Sequence, residues 1–309
     1  MLARLVPQSW PGELATHFRL QYAWALGVSG SLLFAAHWWP AAAIAMSLAA
    51  MNLPGLWRYR ASRRAMASTS DHRPLRILCA NLLWTNRSYD RFHRCVTLVQ
   101  PDVLVLEEVS LAWAASLARL AAQYPFTATV RQDERYGIYL FSRMPLARAS
   151  LVPRRPLGPP SLVADLDWHG RRLTLIGAHP FSPKTPRRLR QRNRQLRQLA
   201  AFAQRRRGPL MILGDLNTTS WSPTFQAFLR TTRLRDSRLG FGLQPTWPVR
   251  LPWLRITLDH CLVSEEIVIT HRAVGPSIGS DHYPIIVECV LQPGLAPRPD
   301  QVMASPASV

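Results

Sequence analysis

The stretch Leu210-Met211-Ile212-Leu213-Gly214-Asp215-Leu216-Asn217 passes directly from an apolar run to a carboxylate and a carboxamide. An apolar run followed by turn-forming residues is typical of a buried strand that ends at the edge of a sheet. Side chains two residues apart leave a strand end on the same side, so Asp215 and Asn217 can point into one cleft. Gly, Asp and Asn are also ordinary turn residues, so this stretch alone fits a plain strand exit equally well.

Polar residues stand at the ends of several other apolar runs. Strand alternation sends Glu107 and Glu108 to opposite sides, so only one of them is expected to reach the cleft. Separate strands can deliver all of these residues to one sheet edge. They are Asn81 after residues 77–80, Glu108 after residues 103–106, His179 after residues 173–178, Asp259-His260 before residues 261–263, and Ser280-Asp281-His282 before residues 283–287.

The residue types in this set predict a cation site. Glu108 closes a buried-strand pattern, where a charged side chain needs a partner, and a divalent cation is the obvious one. Asp281 can bind the metal or hold His282, and Asn81 is expected beside the metal and a phosphate. Oxygen ligands without a thiolate favour Mg²⁺ or Mn²⁺ over zinc.

The same set predicts in-line attack of water on a phosphoester. Asp215 or a neutral His282 would activate the water, and Asp259 would orient the ring of His282. His179 or Asn81 would stabilise the phosphoryl oxygens or the leaving group, and Asn217 would help to bind the phosphate. His260 is expected to be structural.

The N-terminal region differs in character from this set. Residues 20–57 contain no Asp, Glu, Lys or Arg, and the segment His37-Trp38-Trp39-Pro40 divides them. We expect two apolar helices, at about residues 20–36 and 38–57, that form a transmembrane hairpin within an anchor at residues 1–60. Arginines flank both outer ends and the turn carries no fixed charge, so the positive-inside rule places both termini in the cytoplasm.

Two other interpretations of this region stay open. A single tilted span would put the remaining domain on the other side of the membrane, and a buried helical pair would belong to a soluble core. A cleaved signal peptide is excluded, because the strongest basic cluster follows the apolar run. Residues 61–73 are predicted to form a linker, residues 74–291 the catalytic domain, and residues 292–309 a disordered tail.

Composition restricts the function less than these patterns do. The 309 residues carry a formal net charge of +20, but nearly all the basic residues are Arg, which partly reflects a compositional bias. The charge is therefore discounted as evidence for nucleic acid. The four Cys are widely spaced and show no zinc pattern, so we predict small buried residues.

The order Asn81, Glu108, His179, Asp215-x-Asn217, Asp259, Ser280-Asp281-His282 resembles the endonuclease/exonuclease/phosphatase superfamily across residues 74–291. That superfamily includes pancreatic-type deoxyribonucleases, apurinic-site endonucleases, neutral sphingomyelinases and inositol polyphosphate phosphatases. The resemblance implies an α+β fold, a four-layer α/β/β/α sandwich. It implies Glu108 as the principal metal ligand, Asp215 and Asn217 around the nucleophile and phosphate, and His179 and His282 as a pair, with Asp259 and Asp281 supporting them.

The sequence departs from the family pattern at two positions. Many members have Gln where this chain has Glu107, and apurinic-site endonucleases have Asp where it has Leu83. The second departure argues against the DNA-repair subgroup.

The chain also resembles bacterial membrane-anchored members, which implies a place in the inner membrane, and the positive-inside rule would then make the domain face the cytoplasm. Nucleic acid is the favoured substrate, and a phospholipid or sphingomyelin headgroup is the enzymatic alternative. A non-catalytic membrane-bound binding module is the third possibility. No protein partner is predicted.

Six arginines crowd the start of a helix and could contact phosphate or form a solvated face: Arg187, Arg188, Arg190, Arg192, Arg194 and Arg197.

Overall fold

A computed structural model describes residues 9–60, 73–131, 137–151 and 160–292. Its strands form two six-stranded mixed sheets, with the orders β11-β12-β1-β2-β4-β3 and β5-β6-β7-β8-β10-β9. The strands are β1 (Leu75–Asn81), β2 (Val103–Glu107), β3 (Phe126–Arg131), β4 (Gly137–Ser142), β5 (Leu146–Leu151), β6 (Leu162–Trp168), β7 (Arg171–Gly177), β8 (Leu210–Asp215), β9 (Arg235–Asp236), β10 (Asp259–Val263), β11 (Ile267–Val274) and β12 (Ile285–Leu291).

Helices cover the outer faces of both sheets and form the N-terminal region. Two 3₁₀ turns, Ala118–Leu120 and Pro252–Leu254, accompany them. The α-helices are α1 (Trp10–Thr16), α2 (Arg19–Ala35), α3 (Trp39–Ala50), α4 (Leu53–Trp57), α5 (Tyr89–Val99), α6 (Leu111–Leu117), α7 (Pro186–Gln204) and α8 (Pro223–Thr232).

Strand alternation divides the apolar residues between three layers of core. In β1, Ile77 and Cys79 lie between the two sheets, whereas Leu78 and Ala80 face the layer of α5 and α6. Ile212 in β8 faces the layer of α7 and α8 in the same way. Each sheet therefore buries one face against the other sheet and one against helices. The predicted four-layer α/β/β/α sandwich is confirmed.

The strand directions bring several strand ends to one end of the sandwich. β1 runs parallel to β2, with Asn81 opposite Glu107, and β7 runs parallel to β8. β10 is antiparallel to β8, so its first residue, Asp259, stands opposite the last residue of β8, Asp215. β12 is antiparallel to β1, so the loop that precedes it also reaches this end. The four Cys are buried and free, as the sequence predicts.

The apolar N-terminal helices form an antiparallel pair. Gly30 in α2 lies so close to Met46 in α3 that an added Cβ would be 2.8 Å from the Met46 side chain. The second helix was expected to run through residues 38–57, but it is interrupted at residues 51–52 and resumes as α4. Pro54 explains the break, because proline has no N–H for the helix and its ring clashes with the preceding turn.

The predicted linker and tail lie outside the described residues, apart from Arg73 and Gln292.

Segments before and after the hairpin form buried polar contacts with elements of the second sheet and its helices. Glu13 of α1 forms a buried ion pair with Arg192 of α7, with 2.5 Å between Oε1 and Nη2, and it also accepts a hydrogen bond of 2.6 Å from the Ser222 hydroxyl. On the other side of the hairpin, the Tyr59 hydroxyl donates to Asp236 at 3.3 Å. The end of the hairpin that is nearest these contacts, which we call its foot, is thus held against the domain.

Candidate active site

Two carboxylates meet an amide at the end of the sandwich. The Nδ2 atom of Asn81 lies 3.1 Å from Oε1 of Glu108 and 3.5 Å from Oδ2 of Asp215. Glu108 follows β2 with a left-handed backbone, φ +54°, and its Oε2 accepts the backbone N–H of Trp84 at 3.2 Å. This uncommon conformation turns Glu108 towards the cleft while Glu107 remains in the strand.

Two histidines flank the carboxylate of Asp215. The Nε2 atoms of His179 and His282 lie 3.6 and 3.7 Å from its Oδ2. His179 Nε2 is also 3.8 Å from Oε1 of Glu108. On its other side, the ring of His282 meets Asp259, with 2.9 Å between Nδ1 and Oδ2. The structure therefore brings together six residues from separate strand ends around one small space.

The charges in this space determine which group can accept a proton. Burial raises the pKa of Asp215 to about 6, against the opposing effect of His282. Burial would lower the pKa of His282, but the carboxylates of Asp259 and Asp215 outweigh it and raise that pKa to about 10. His282 is thus held as an imidazolium near neutral pH. Of the two bases considered from the sequence, the geometry favours Asp215 over a neutral His282.

Asn217 shapes the loop after β8. Its backbone is left-handed, φ +50°, and its N–H donates to Oδ1 of Asp215 at 2.8 Å. The side-chain amide donates to the carbonyl of Pro180 at 3.0 Å, and the Asn217 carbonyl accepts from Nη1 of Arg192 at 3.2 Å. Asn217 therefore links the loops after β7 and β8 and aligns the carboxylate of Asp215.

Asp281 lies at the side of this group. Its Oδ2 accepts the indole N–H of Trp247 at 3.0 Å, and the Trp247 ring centroid lies 6.3 Å from that of His282. Within the described ranges no hydrogen bond or ion pair joins Asp281 to Glu108. Its place as a metal ligand stays a prediction. The sequence marked Trp247 as a residue that could stack on a base or contact lipid, but it did not predict the contact with Asp281.

The donor atoms at the centre of the site suit a hard cation. The side chain of Glu108 is 19% exposed, so its carboxylate opens to the cleft. The amide nitrogen of Asn81 lies beside it, and the amide oxygen accepts the backbone N–H of Leu83 at 3.0 Å. The amide of Asn81 and the Nε2 atom of His179 lie between the carboxylates of Glu108 and Asp215, and a cation would further stabilise this pair of carboxylates. Across the described residues, no three His, Cys, Asp or Glu side chains already form a metal cage.

Comparison with known proteins identifies the family. The family model described as "Endonuclease/Exonuclease/phosphatase family" matches residues 78–282, which is more than half of the chain. This protein belongs to that family. No curated protein matches the sequence.

Solved structures share the family fold. D. rerio TDP2 complexed with single-strand DNA product has a TM-score of 0.59 and 17% identity, covering 71% of this chain and 100% of its own. Sphingomyelinase C from Streptomyces griseocarneus has a TM-score of 0.54 and 20% identity, covering 70% and 99%. The human Nocturnin catalytic domain has a TM-score of 0.56 and 18% identity, covering 71% and 94%. At these identities the similarity shows the fold alone.

Glu107 lies behind the site and does not reach the cleft. It is fully buried, and its Oε2 accepts the backbone N–H of Asp215 at 2.9 Å. Burial raises its pKa well above the usual range, and Asp215 adds to that effect. The neutral acid is therefore favoured, and it has the shape of the amide that many members carry there.

The arginine-rich helix α7 divides into buried and exposed positions. Arg192 is completely buried against Glu13 and Asn217, so it is not available to a substrate. The guanidinium of Arg188 lies over the Phe181 ring at 4.1 Å from its centroid. The remaining four arginines are exposed: Arg187, Arg190, Arg194 and Arg197. The sequence alone did not separate Arg192 from the others.

Proposed function

We propose that this protein is a phosphodiesterase that hydrolyses phosphodiester bonds by in-line attack of water, with Mg²⁺ or Mn²⁺ as cofactor. The observation that carries the proposal is the position of Asp215 between two histidine rings, with Glu108 and Asn81 on its open side. A non-catalytic binding module would not need acid, amide and histidine groups gathered around one carboxylate.

Each residue then has a defined part in the reaction. Asp215 accepts a proton from the attacking water, because its pKa of about 6 leaves it ionised at neutral pH yet still basic. His282, held by Asp259, donates a hydrogen bond to a phosphoryl oxygen as negative charge develops there. His179 and the amide of Asn81 contact the phosphate from the sides of Glu108 and Asp215, while Asn217 keeps Asp215 aligned.

Glu108 and Asn81 would hold the divalent cation, with Asp281 as a further ligand. A bound Mg²⁺ would neutralise charge on the phosphoryl oxygens. Glu107, as a neutral acid, would add no negative charge to this site.

The proposal includes a membrane anchor. α2 and α3 expose large apolar side chains, among them Trp24 at 68% and Phe34 at 60%. Among the described residues, the stretch Trp39–Trp57 is long and apolar enough to cross a membrane, and 17% of it is buried, unlike the core helix of a soluble protein. Arg58 and Arg60 at its end would keep the domain on the cytoplasmic side of a bacterial inner membrane.

Nucleic acid is the first substrate to test, and a phospholipid headgroup is the second. The exposed arginines of α7 support the first, and the anchor supports the second. Cleavage of nucleic acid would weaken as salt is raised. Hydrolysis of a headgroup would instead require lipid dispersions.

The test is hydrolysis of single- and double-stranded DNA, RNA, lipid dispersions and a small phosphodiester by the whole chain, with Mg²⁺ and then with a chelator. Asp215→Asn should lower turnover by about 100-fold or more, since a general base contributes about that much. Asp90→Asn, a matched change at an exposed helical position, should have no effect. Equal turnover in both variants, or turnover that survives the chelator, would contradict the proposal.

A further inference from the structure

A short apolar loop stands beside the foot of the hairpin and is connected to the active site. Residues 251–254 expose Leu251 at 40%, Trp253 at 69% and Leu254 at 40%. We call these four residues the apolar loop. Single exposed apolar residues are common, but three within four residues form a patch that usually marks an interaction surface.

The apolar loop is joined to the hairpin. The side-chain amide of Gln21, in the first turn of α2, donates to the backbone carbonyls of Trp253 at 3.3 Å and Arg255 at 3.2 Å. The loop tip therefore lies at the level of the first turn of α2. Buried contacts on both sides of the hairpin, from Glu13 and Tyr59, keep this foot against the domain.

The segment that carries the apolar loop, residues 247–256, starts beside the active site. Trp247 and Ile256 form an isolated β-bridge, from which the loop extends. Trp247 holds the carboxylate of Asp281, and the backbone N–H of Val249 donates to the Asp281 carbonyl at 2.9 Å. The apolar loop thus joins the foot of the hairpin to the segment that carries His282.

Helix length then determines how deep the foot must lie. α2 has 17 residues, so at 1.5 Å per residue it is about 25 Å long. The hydrocarbon core of a bilayer is about 30 Å thick. A hairpin this short cannot cross that core unless its first turn, with Gln21, lies at the membrane surface.

We propose that the apolar loop inserts into the surface of an anionic phospholipid bilayer and holds the mouth of the active site against it. This inference rests on the membrane anchor in the proposed function. Charge supports the choice of partner, because Arg250 is exposed directly before the apolar loop and Arg58 and Arg60 are exposed directly after α4. The guanidinium of Arg60 also lies 5.1 Å from the Trp57 ring centroid, an aromatic and basic pairing suited to the headgroup layer.

The test measures depth with a nitroxide spin label on the whole chain, in vesicles of phosphatidylglycerol and phosphatidylcholine. The four native Cys are at most 2% exposed, so a new surface Cys can be labelled selectively. Three variants are compared: Trp253→Cys in the loop, Leu32→Cys in the hairpin and Leu98→Cys on α5. Leu98 is 75% exposed on the opposite outer layer of the sandwich and serves as the water-facing control.

The label at position 253 should lose most of its collisions with a water-soluble nickel complex and gain collisions with oxygen when vesicles are present. The label at position 98 should show no change in its collisions with nickel or with oxygen. Equal nickel accessibility at positions 253 and 98, with position 32 buried in lipid, would overturn the inference and leave the anchor intact. A water-exposed label at position 32 would overturn the anchor and the inference together.

An activity measurement adds a second, independent readout. Trp253→Asp should lower turnover of a vesicle-borne phosphodiester several-fold relative to turnover of a small soluble one. An unchanged ratio would count against the inference. If no variant shows turnover, the proposed reaction fails, while the spin-label result still decides the position of the loop.

Discussion

At the residue scale, Gly214 determines how the two sheets meet behind the site. Its φ is +142°, and a Cβ there would lie 2.0 Å from Oε1 of Glu107 and 2.3 Å from the carbonyl oxygen of Ala178. No side chain fits these distances. The absent side chain lets Glu107 reach the backbone of Asp215, so the position of Asp215 depends on a glycine.

Gly214→Ala should destabilise the fold by at least about 2 kcal/mol, because backbone strain and a clash with the main chain add together. Thermal or denaturant unfolding measures this. Gly170→Ala is the matched control, since Gly170 also has a positive φ, +74°, but has no atom within 4 Å of the added Cβ. It should cost only about 1 kcal/mol, the strain of the left-handed backbone alone. Similar losses in the two variants would show that the close approach to Glu107 is unimportant.

The ion pair between His282 and Asp259 makes the stability of the fold depend on pH. Because the folded pKa of about 10 lies above the value of about 6.5 for an unfolded chain, the pair stabilises the fold fully below about pH 6.5. That contribution is lost as the pH rises towards 10. The imidazole signals of His282 in a metal-free sample should therefore titrate far above pH 7 by NMR, and Asp259→Asn should bring the titration down. A wild-type titration near pH 6.5 would contradict this assignment.

At the scale of elements, α1 supports the loop after β8 through Arg192 of α7. Glu13 is the charged partner of Arg192, both are at most 1% exposed in their side chains, and Arg192 binds the carbonyl of Asn217. An unpaired charge at such a position is costly, because burial removes its hydration and nothing replaces it.

Glu13→Ala should therefore lower the free energy of unfolding by about 3–5 kcal/mol. Glu265→Ala, at an exposed carboxylate, should change it by less than about 0.5 kcal/mol. The double variant Glu13→Leu with Arg192→Met should recover much of the loss, since it removes both buried charges. Chemical denaturation of the four proteins checks this, and a loss in Glu13→Ala no larger than that in Glu265→Ala would refute it.

At the scale of the whole molecule, the N-terminal region is both an exposed apolar hairpin and a packed part of the domain, two properties that the sequence suggested were separate. The outer part of the hairpin is exposed and apolar, whereas its foot and α1 contact the domain through buried side chains, among them Glu13, His17 and Tyr59. A fragment that begins at residue 73 would lose the partners of four buried side chains. These are Arg192, Ser222, Thr219 and Asp236, which contact Glu13, His17 and Tyr59.

We expect the fragment 73–292 to be markedly less stable than a chain in which a short Gly-Ser linker replaces only residues 22–50. The second protein keeps the contacts of Glu13, His17, Gln21 and Tyr59, and should unfold cooperatively at a higher temperature. It should also no longer need detergent. Equal melting temperatures for the two proteins would mean that the N-terminal contacts do not stabilise the domain.

The identities of the central residues followed from local properties, whereas the four-layer fold followed from the resemblance of their order to a known family. Apolar runs predicted strands, and polar residues at their ends predicted one shared cleft, because side-chain alternation and strand direction are set by the local chain. The structure brings Asn81, Glu108, His179, Asp215 and His282 to one end of the sandwich. The sequence also separated the apolar helices from the domain by composition.

Only the tertiary structure decided which residues pair across distance. The burial of Arg192 among six arginines depends on Glu13, which is 179 residues away. The charge of His282 depends on two carboxylates from different strands, and the neutral form of Glu107 depends on complete burial between sheets. These properties are set by desolvation and by the distances between charges, neither of which can be read from a chain before it is folded.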